Sequence, residues 1–301
     1  MADHHHHHHH SLPENLGKAF GWGIGLNIVF VVAEIAAGLY TGSLALLTDA
    51  GHNLGDVASL VLSWLALRLS KITSTGRLSY GYRKGTIWVS LINGLVLLVA
   101  VCYIVLEAFQ RLDHPPPVPG LLVSAVAIVG IGVNAFSAWL FYRDSRHDLN
   151  IKGAYLHLIA DAAVSAGVVL AGLLMYASGW AWIDTAISFV IAGIILWGTV
   201  GLLKESICLA LDGAPKSVDL KAIEAAALDT PGVLSVHHLH VWALSTSENA
   251  LTAHLVLDKD HTLETAHAAK LHFRHALEHM DIGHATIETE AEGALCGCVV
   301  C

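Results

Sequence analysis

Residues 44–69 read LALLTDAGHNLGDVASLVLSWLALRL, an apolar run interrupted by ionisable groups on one side only. A bilayer core of about 30 Å takes roughly 20 apolar residues of α-helix, so the run is long enough to cross one. Within it Asp49, His52, Asp56, Ser59 and Ser63 fall at steps of 3, 4, 3 and 4, which puts all five on one stripe of a single helix. An Asp at mid-membrane costs about 2.5 to 3.5 kcal/mol on insertion scales, so the stripe must face protein or water and find partners there. The segment predicts a membrane span with a polar working face.

Outward from it, five more runs of similar length appear, at 19–39, 86–108, 120–142, 154–177 and 180–203. The breaks between them are turn formers: Tyr40-Thr41-Gly42-Ser43, His114-Pro115-Pro116-Pro117 and Ser178-Gly179. Gly17, Gly21 and Gly25 repeat every four residues at the start of the first run, a small-residue stripe read as helix packing. Over the 301 residues 54% are apolar and only 14% charged, which excludes an ordinary compact cytosolic enzyme. The basic residues sit on one side. Arg68, Lys71, Arg77, Arg83 and Lys84 follow the second run, Arg143, Arg146 and Lys152 the fourth, and Lys204 the sixth; the opposite turns carry only Arg111. The positive-inside bias therefore predicts both termini in the cytoplasm.

From Ile207 onward the pattern changes to alternating charged and apolar residues, with 13 acidic against 5 basic side chains. That balance, within a formal net charge of −9, gives no basic footprint for nucleic acid and suits cations instead. Periodicity predicts the order α, β, β, α, β, at 220–228, 236–244, 250–257, 262–279 and 285–290. The division expected is a His-rich leader at 1–15, a membrane domain at 16–206, a cytoplasmic α+β domain at 207–292 and a Cys-rich tail at 293–301. The leader carries seven consecutive histidines, His4 to His10, which read as a purification tag or a metal-collecting leader and stand outside the fold argument. Nothing resembles a cleaved signal peptide. Five cysteines, with Cys102 and Cys208 in apolar stretches and Cys296, Cys298 and Cys301 at the end, do not form a disulfide framework; the last three are a candidate metal-capture site.

The fifth run repeats the chemistry of the second. His157, Asp161 and Ser165 follow at steps of four, so HNLGD and HLIAD present the same His-x-x-x-Asp pair on two helices, while Asn27 and Glu34 make a polar stripe on the first. Residues four apart project a nitrogen and an oxygen toward one point, and two facing helices then supply four ligands, a tetrahedral divalent-metal site of His52, Asp56, His157 and Asp161. Imidazole with carboxylate suits Zn²⁺ best among available ions; Co²⁺, Cd²⁺, Mn²⁺ and Fe²⁺ satisfy the same donors. The ligands must be deprotonated to hold metal, so acid ejects the ion and proton exchange follows. Asp49 reads either as a partner orienting His52 or as a charge on the access path.

Three stretches together, SLALLTDAGHNLGD at 43–56, NIKGAYLHLIAD at 150–161 and VHHLHVWAL at 236–244, resemble the cation diffusion facilitator family, especially its zinc-transporting branch. The resemblance spans 16–290 and implies a six-helix transmembrane bundle with a ferredoxin-like, metallochaperone-like cytoplasmic domain. It also implies a homodimer that exports Zn²⁺ across the lipid bilayer in exchange for H⁺. By motif position the family's transport ligands fall on His52, Asp56, His157 and Asp161. Its cytoplasmic zinc ligands fall on His237, His254, His284 and Glu290, with His240, His267 and Glu288 in reserve. The loop at 143–152 is short and contains only His147, which favours a bacterial-type member in the inner membrane. After Tyr80-Gly81-Tyr82 the family's Arg-x-Glu is replaced by Arg83-Lys84-Gly85, so a charge interlock there is not carried over.

Two other classes compete with a secondary transporter. An intramembrane zinc hydrolase would need His-Glu-x-x-His and an open coordination position, and the sequence has no such motif. A membrane-anchored metal sensor would have no use for matched ligands deep in two spans.

Overall fold

The computed structural model describes residues 14–69, 76–142 and 149–293, and the side chains of 24–58, 61, 76–140, 142 and 155–293. The expectations placed on the histidine leader, on Lys71, Arg143, Arg146 and His147, on the side chains of Ser59, Ser63, Arg68 and Lys152, and on Cys296, Cys298 and Cys301 lie outside these residues. Six long helices come first: α1 (Glu14–Thr41), α2 (Leu44–Leu69), α3 (Gly85–Gln110), α4 (Gly120–Phe141), α5 (Leu149–Ser178) and α6 (Trp182–Ala210). The tail follows as α7 (Leu220–Leu228), β1 (Val233–Ala243), β2 (Asn249–Leu257), α8 (Leu263–Glu278) and β3 (Ile282–Ala291). The order α, β, β, α, β is the one the periodicity predicts, and the mixed domain follows a membrane region.

Among the described residues, five helices are long and apolar enough to cross a membrane, over Ile24–Thr41, Gly85–Gln110, Gly120–Leu140, Tyr155–Ser178 and Trp182–Ala210. The second helix carries Asp49, His52, Asn53 and Asp56, which lower its hydropathy. Large side chains such as Val99, Tyr103, Trp139, Tyr176 and Trp197 stand exposed on the bundle. That surface would be a liability in water and is the expected outer face in lipid. Helices run a few residues past the apolar runs, since charged residues such as Lys204 and Glu205 continue a helical backbone, and α1 and α5 stop where the chain turns through Gly42 (φ 69°) and Gly179 (φ 74°).

The chain divides into two compact units, the described residues up to Leu60 with Val96–Gly198, and Val61–Leu95 with Thr199 onward. In the first unit Ala45, Leu46, Val101, Val123, Ala127, Val168, Met175 and Ile191 form a buried core drawn from α2 to α6. Helices α4 and α5 approach most closely at glycine, where a Cβ on Gly172 would run into Ser124 Oγ and the Gly120 carbonyl. In lipid, helices gain association from packing and hydrogen bonds rather than from water exclusion, so small residues set the approach.

In the second unit β1 pairs antiparallel with β2, and β2 pairs parallel with β3 through the α8 crossover, giving a three-stranded mixed sheet. Ile223, Ala227, Leu251, Leu255, Phe273, Leu277 and Ile282 form its buried core with α7 and α8. Asp219 caps α7 by accepting from the Lys221 and Ala222 amides, and Thr262 with Thr265 forms a capping box on α8. The start of α3 belongs to the same unit. Thr246 N donates to Thr86 Oγ1 at 3.1 Å, Arg83 Nη1 meets Glu248 Oε2 at 2.6 Å and Lys84 Nζ meets Asp212 Oδ1 at 2.5 Å. Charge pairs thus exist at the stretch where the sequence lacks the family's usual motif, made by Arg83 and Lys84 themselves.

Candidate metal centre

Helices α2 and α5 bring the two His-x-x-x-Asp pairs together in alternation. His52 Nε2 lies 3.2 Å from Asp161 Oδ1, and His157 Nε2 lies 3.1 Å from Asp56 Oδ1. Within each helix His52 Nδ1 is 3.9 Å from Asp56 Oδ2, and His157 Nε2 is 3.6 Å from Asp161 Oδ2. The imidazole rings meet edge to face with centroids 6.2 Å apart. One ligand atom each from His52, Asp56 and Asp161 lie within 4.8 Å of one another, and His157 touches both carboxylates. Two nitrogens and two carboxylates around one point match the donor set of a tetrahedral borderline-soft ion.

The frame of α2 is fixed from another helix. Asp184, buried on α6, accepts from Leu44 N at 2.7 Å and Ala45 N at 3.4 Å, and Ser43 Oγ donates to it at 2.5 Å. These are the amides that a helix leaves unsatisfied at its N-terminus, and a carboxylate there also meets the positive end of the helix dipole. Arg111 Nη1 donates to the Gly42 carbonyl at 2.6 Å and holds the preceding turn. Sequence reading did not find Asp184 as a cap, because its partner lies some 140 residues away.

Asp49 is bonded across to α5. Its Oδ2 accepts from Ser165 Oγ at 3.1 Å, while Asn53 Nδ2 donates to Glu34 Oε2 at 3.1 Å. Glu34, Asp49, Asn53 and Ser165 are all buried, with Asp49 one helical turn before His52 on α2 and Ser165 one turn after Asp161 on α5.

The tail holds a second cluster, of His237, His254 and Glu290. His254 Nδ1 is 2.6 Å from Glu290 Oε1 and His237 Nε2 is 3.1 Å from Glu290 Oε2, with Glu288 Oε2 3.6 Å from His254 Nε2. Sheet register explains it: His237 faces His254 across the antiparallel pair, and His254 faces Glu288 across the parallel one. A bulge between His237 and His240 turns His238 into the left-handed region (φ 50°) and sets its ring centroid 4.9 Å from those of His237, edge-on, and His254, tilted. The hydrogen bond from His254, and after it that from His237, hold the Glu290 carboxyl below its ordinary range. Loss of solvation first, then the neighbouring imidazoles, press His238 below its usual value. His284 stands six residues up β3 from Glu290, about 20 Å along a strand, and packs on Tyr80 instead, Nε2 to OH at 3.4 Å.

The cation efflux transmembrane domain profile matches residues 22–209, and the cation efflux protein cytoplasmic domain profile matches residues 215–292. The chain is 35% identical over 265 residues to a cadmium, cobalt and zinc/H(+)-K(+) antiporter of Bacillus subtilis, covering 87% of this chain and 85% of that one. It is 36% identical over 267 residues to the metal cation efflux system protein CzcD of Cupriavidus metallidurans, covering 89% and 84%. It is 33% identical over 293 residues to the zinc transporter ZitB of Escherichia coli, covering 96% and 93%. The two domain profiles cover most of the chain, and the long apolar helices supply the membrane-crossing part. The chain belongs to the cation diffusion facilitator family, close to its zinc, cobalt and cadmium transporters, and is a multi-pass membrane transporter of divalent metal ions rather than an enzyme.

Proposed function

We propose that the protein exports Zn²⁺ from the cytosol in exchange for protons, with Cd²⁺ and Co²⁺ as further substrates, through the site formed by His52, Asp56, His157 and Asp161. The observation that carries this reading is the alternating imidazole and carboxylate contact between α2 and α5, at 3.1 and 3.2 Å. The metals in the relatives' names support the choice of ion, and the donor set supports it independently. Metal needs all four groups deprotonated, so a proton taken up on either imidazole drives the ion off, and metal and protons cross in opposite directions. Both termini face the cytoplasm in this reading, the protein works as a homodimer in the bacterial inner membrane, and the membrane domain spans 16–206. The tail is a ferredoxin-like module at 207–292 that binds a regulatory zinc through His237, His254 and Glu290; the sheet with its parallel crossover supports that fold.

The test is zinc-driven proton flux in proteoliposomes. Asp56→Ala and Asp161→Ala each abolish the flux while the protein still elutes as a folded dimer. Undiminished flux in either variant refutes the site.

A further inference from the structure

Beside the metal site lies a group of polar side chains that the mechanism above does not use. Glu34 is 0% exposed and Asp49 1%, and they come from neighbouring helices α1 and α2. Glu34 Oε2 accepts from Asn53 and Asp49 Oδ2 accepts from Ser165, but Glu34 Oε1 is buried with no donor among the described residues. Asn53, the donor to Glu34, stands four residues after Asp49 on the same face of α2, so the two carboxyl groups belong to one buried polar cluster. A carboxylate has acceptors alone, so a carboxyl oxygen buried without a donor is a place for a proton.

Charge balance points the same way. The described side chains of α1, α2, α4 and α5 include no Lys or Arg. The other acids and histidines among the described side chains of these helices are His52 and Asp56 on α2 and His157 and Asp161 on α5; α4, which packs on α1, contains none. Two anions side by side in a low-dielectric interior need a compensating cation, and a proton is the one that a bare carboxyl oxygen takes up without further ligands.

We propose that Glu34 and Asp49 form a second intramembrane cation seat, one helical turn from the metal site, whose occupant is a proton exchanged against the transported metal. The seat rests on the transport reading given above. Asp49 is three residues before His52 and Ser165 four residues after Asp161, so both helices that grip the metal also line the seat. A divalent ion arriving one turn away, about 5 Å along the helix, repels the shared proton, and the proton's return favours metal release. No bond other than that to the proton is made or broken: the carboxyl pair loses H⁺ when Zn²⁺ binds and regains it when Zn²⁺ leaves.

Glu34→Gln tests this without removing the packing, because its amide oxygen accepts from Asn53 and its NH₂ donates to Asp49 in the proton's place. The experiment counts protons released per Zn²⁺ bound by the detergent-solubilised full chain, using a pH-indicator dye in weak buffer. Glu34→Gln is expected to bind the same number of Zn²⁺ as the unaltered protein while releasing one proton fewer, and Asp49→Asn, the second variant should the first misfold, gives the same deficit. Protons bound or lost at the tail cluster are common to all samples and cancel in the difference. An unchanged proton count overturns the seat alone; loss of one bound Zn²⁺ overturns it by making Glu34 a metal ligand. The tail cluster keeps its own zinc in every variant, so an unchanged number of bound Zn²⁺ per chain in both Asp56→Ala and Asp161→Ala refutes the transport site and, with it, the exchange.

Discussion

At the scale of single side chains, the recurrent unit is an imidazole facing a carboxylate, once between α2 and α5 and once across the tail sheet. In the tail Glu290 joins two histidines, so Glu290→Gln should weaken zinc binding by about tenfold or more, since even the loss of an outer partner costs that much. Calorimetric titration of the full chain measures it. His284→Ala, remote from the cluster, should leave that titration unchanged. The depressed Glu290 carboxyl also has a pH signature. A group held below its ordinary value of 4.5 stabilises the fold above that value and loses the contribution as pH falls through the lower one. Acid unfolding of Glu290→Gln should therefore lack the part of the acid limb that falls below about pH 4.5, as read by tail unfolding against pH.

At the scale of elements, the position of the metal ligands depends on how α2 is begun and how closely α5 is packed. Asp184→Ala removes the carboxylate that satisfies the first amides of α2, and a lost cap costs about 0.5 to 2 kcal/mol. The expected result is a lower unfolding midpoint in detergent together with weaker zinc binding at a site Asp184 never touches. Gly172→Leu forces α4 and α5 apart at their closest approach, with an overpacking cost of about 1 to 3 kcal/mol and reduced transport; unaltered thermal unfolding would contradict the packing. The elements themselves were legible in the sequence because their causes are local. Apolar runs bounded by Gly42, by Pro115 to Pro117 and by Gly179 give the helices, and alternation gives the strands. The bulge at His238 was not legible, since the extra residue is defined only against its partner strand.

At the scale of the molecule, an acidic tail with a His237, His254 and Glu290 cluster has a charge that opposes assembly and ligands that take a cation. In the proposed homodimer, zinc bound there should neutralise charge and draw two tails together. X-ray scattering of the full chain should show smaller dimensions with zinc than after chelation, and identical curves would contradict it. The sequence by itself determined the membrane region, the mixed tail and the two His-x-x-x-Asp pairs, because helical period and bilayer thickness act on neighbours along the chain. Only the tertiary structure decided that Asp184 caps α2, that Asp49 turns to Ser165, that Glu34 is left with a bare oxygen, and that His284 stays with Tyr80 away from Glu290. Each of these depends on which distant backbone arrives beside a side chain, and hydrogen bonds form between groups near in space however far apart they lie in sequence.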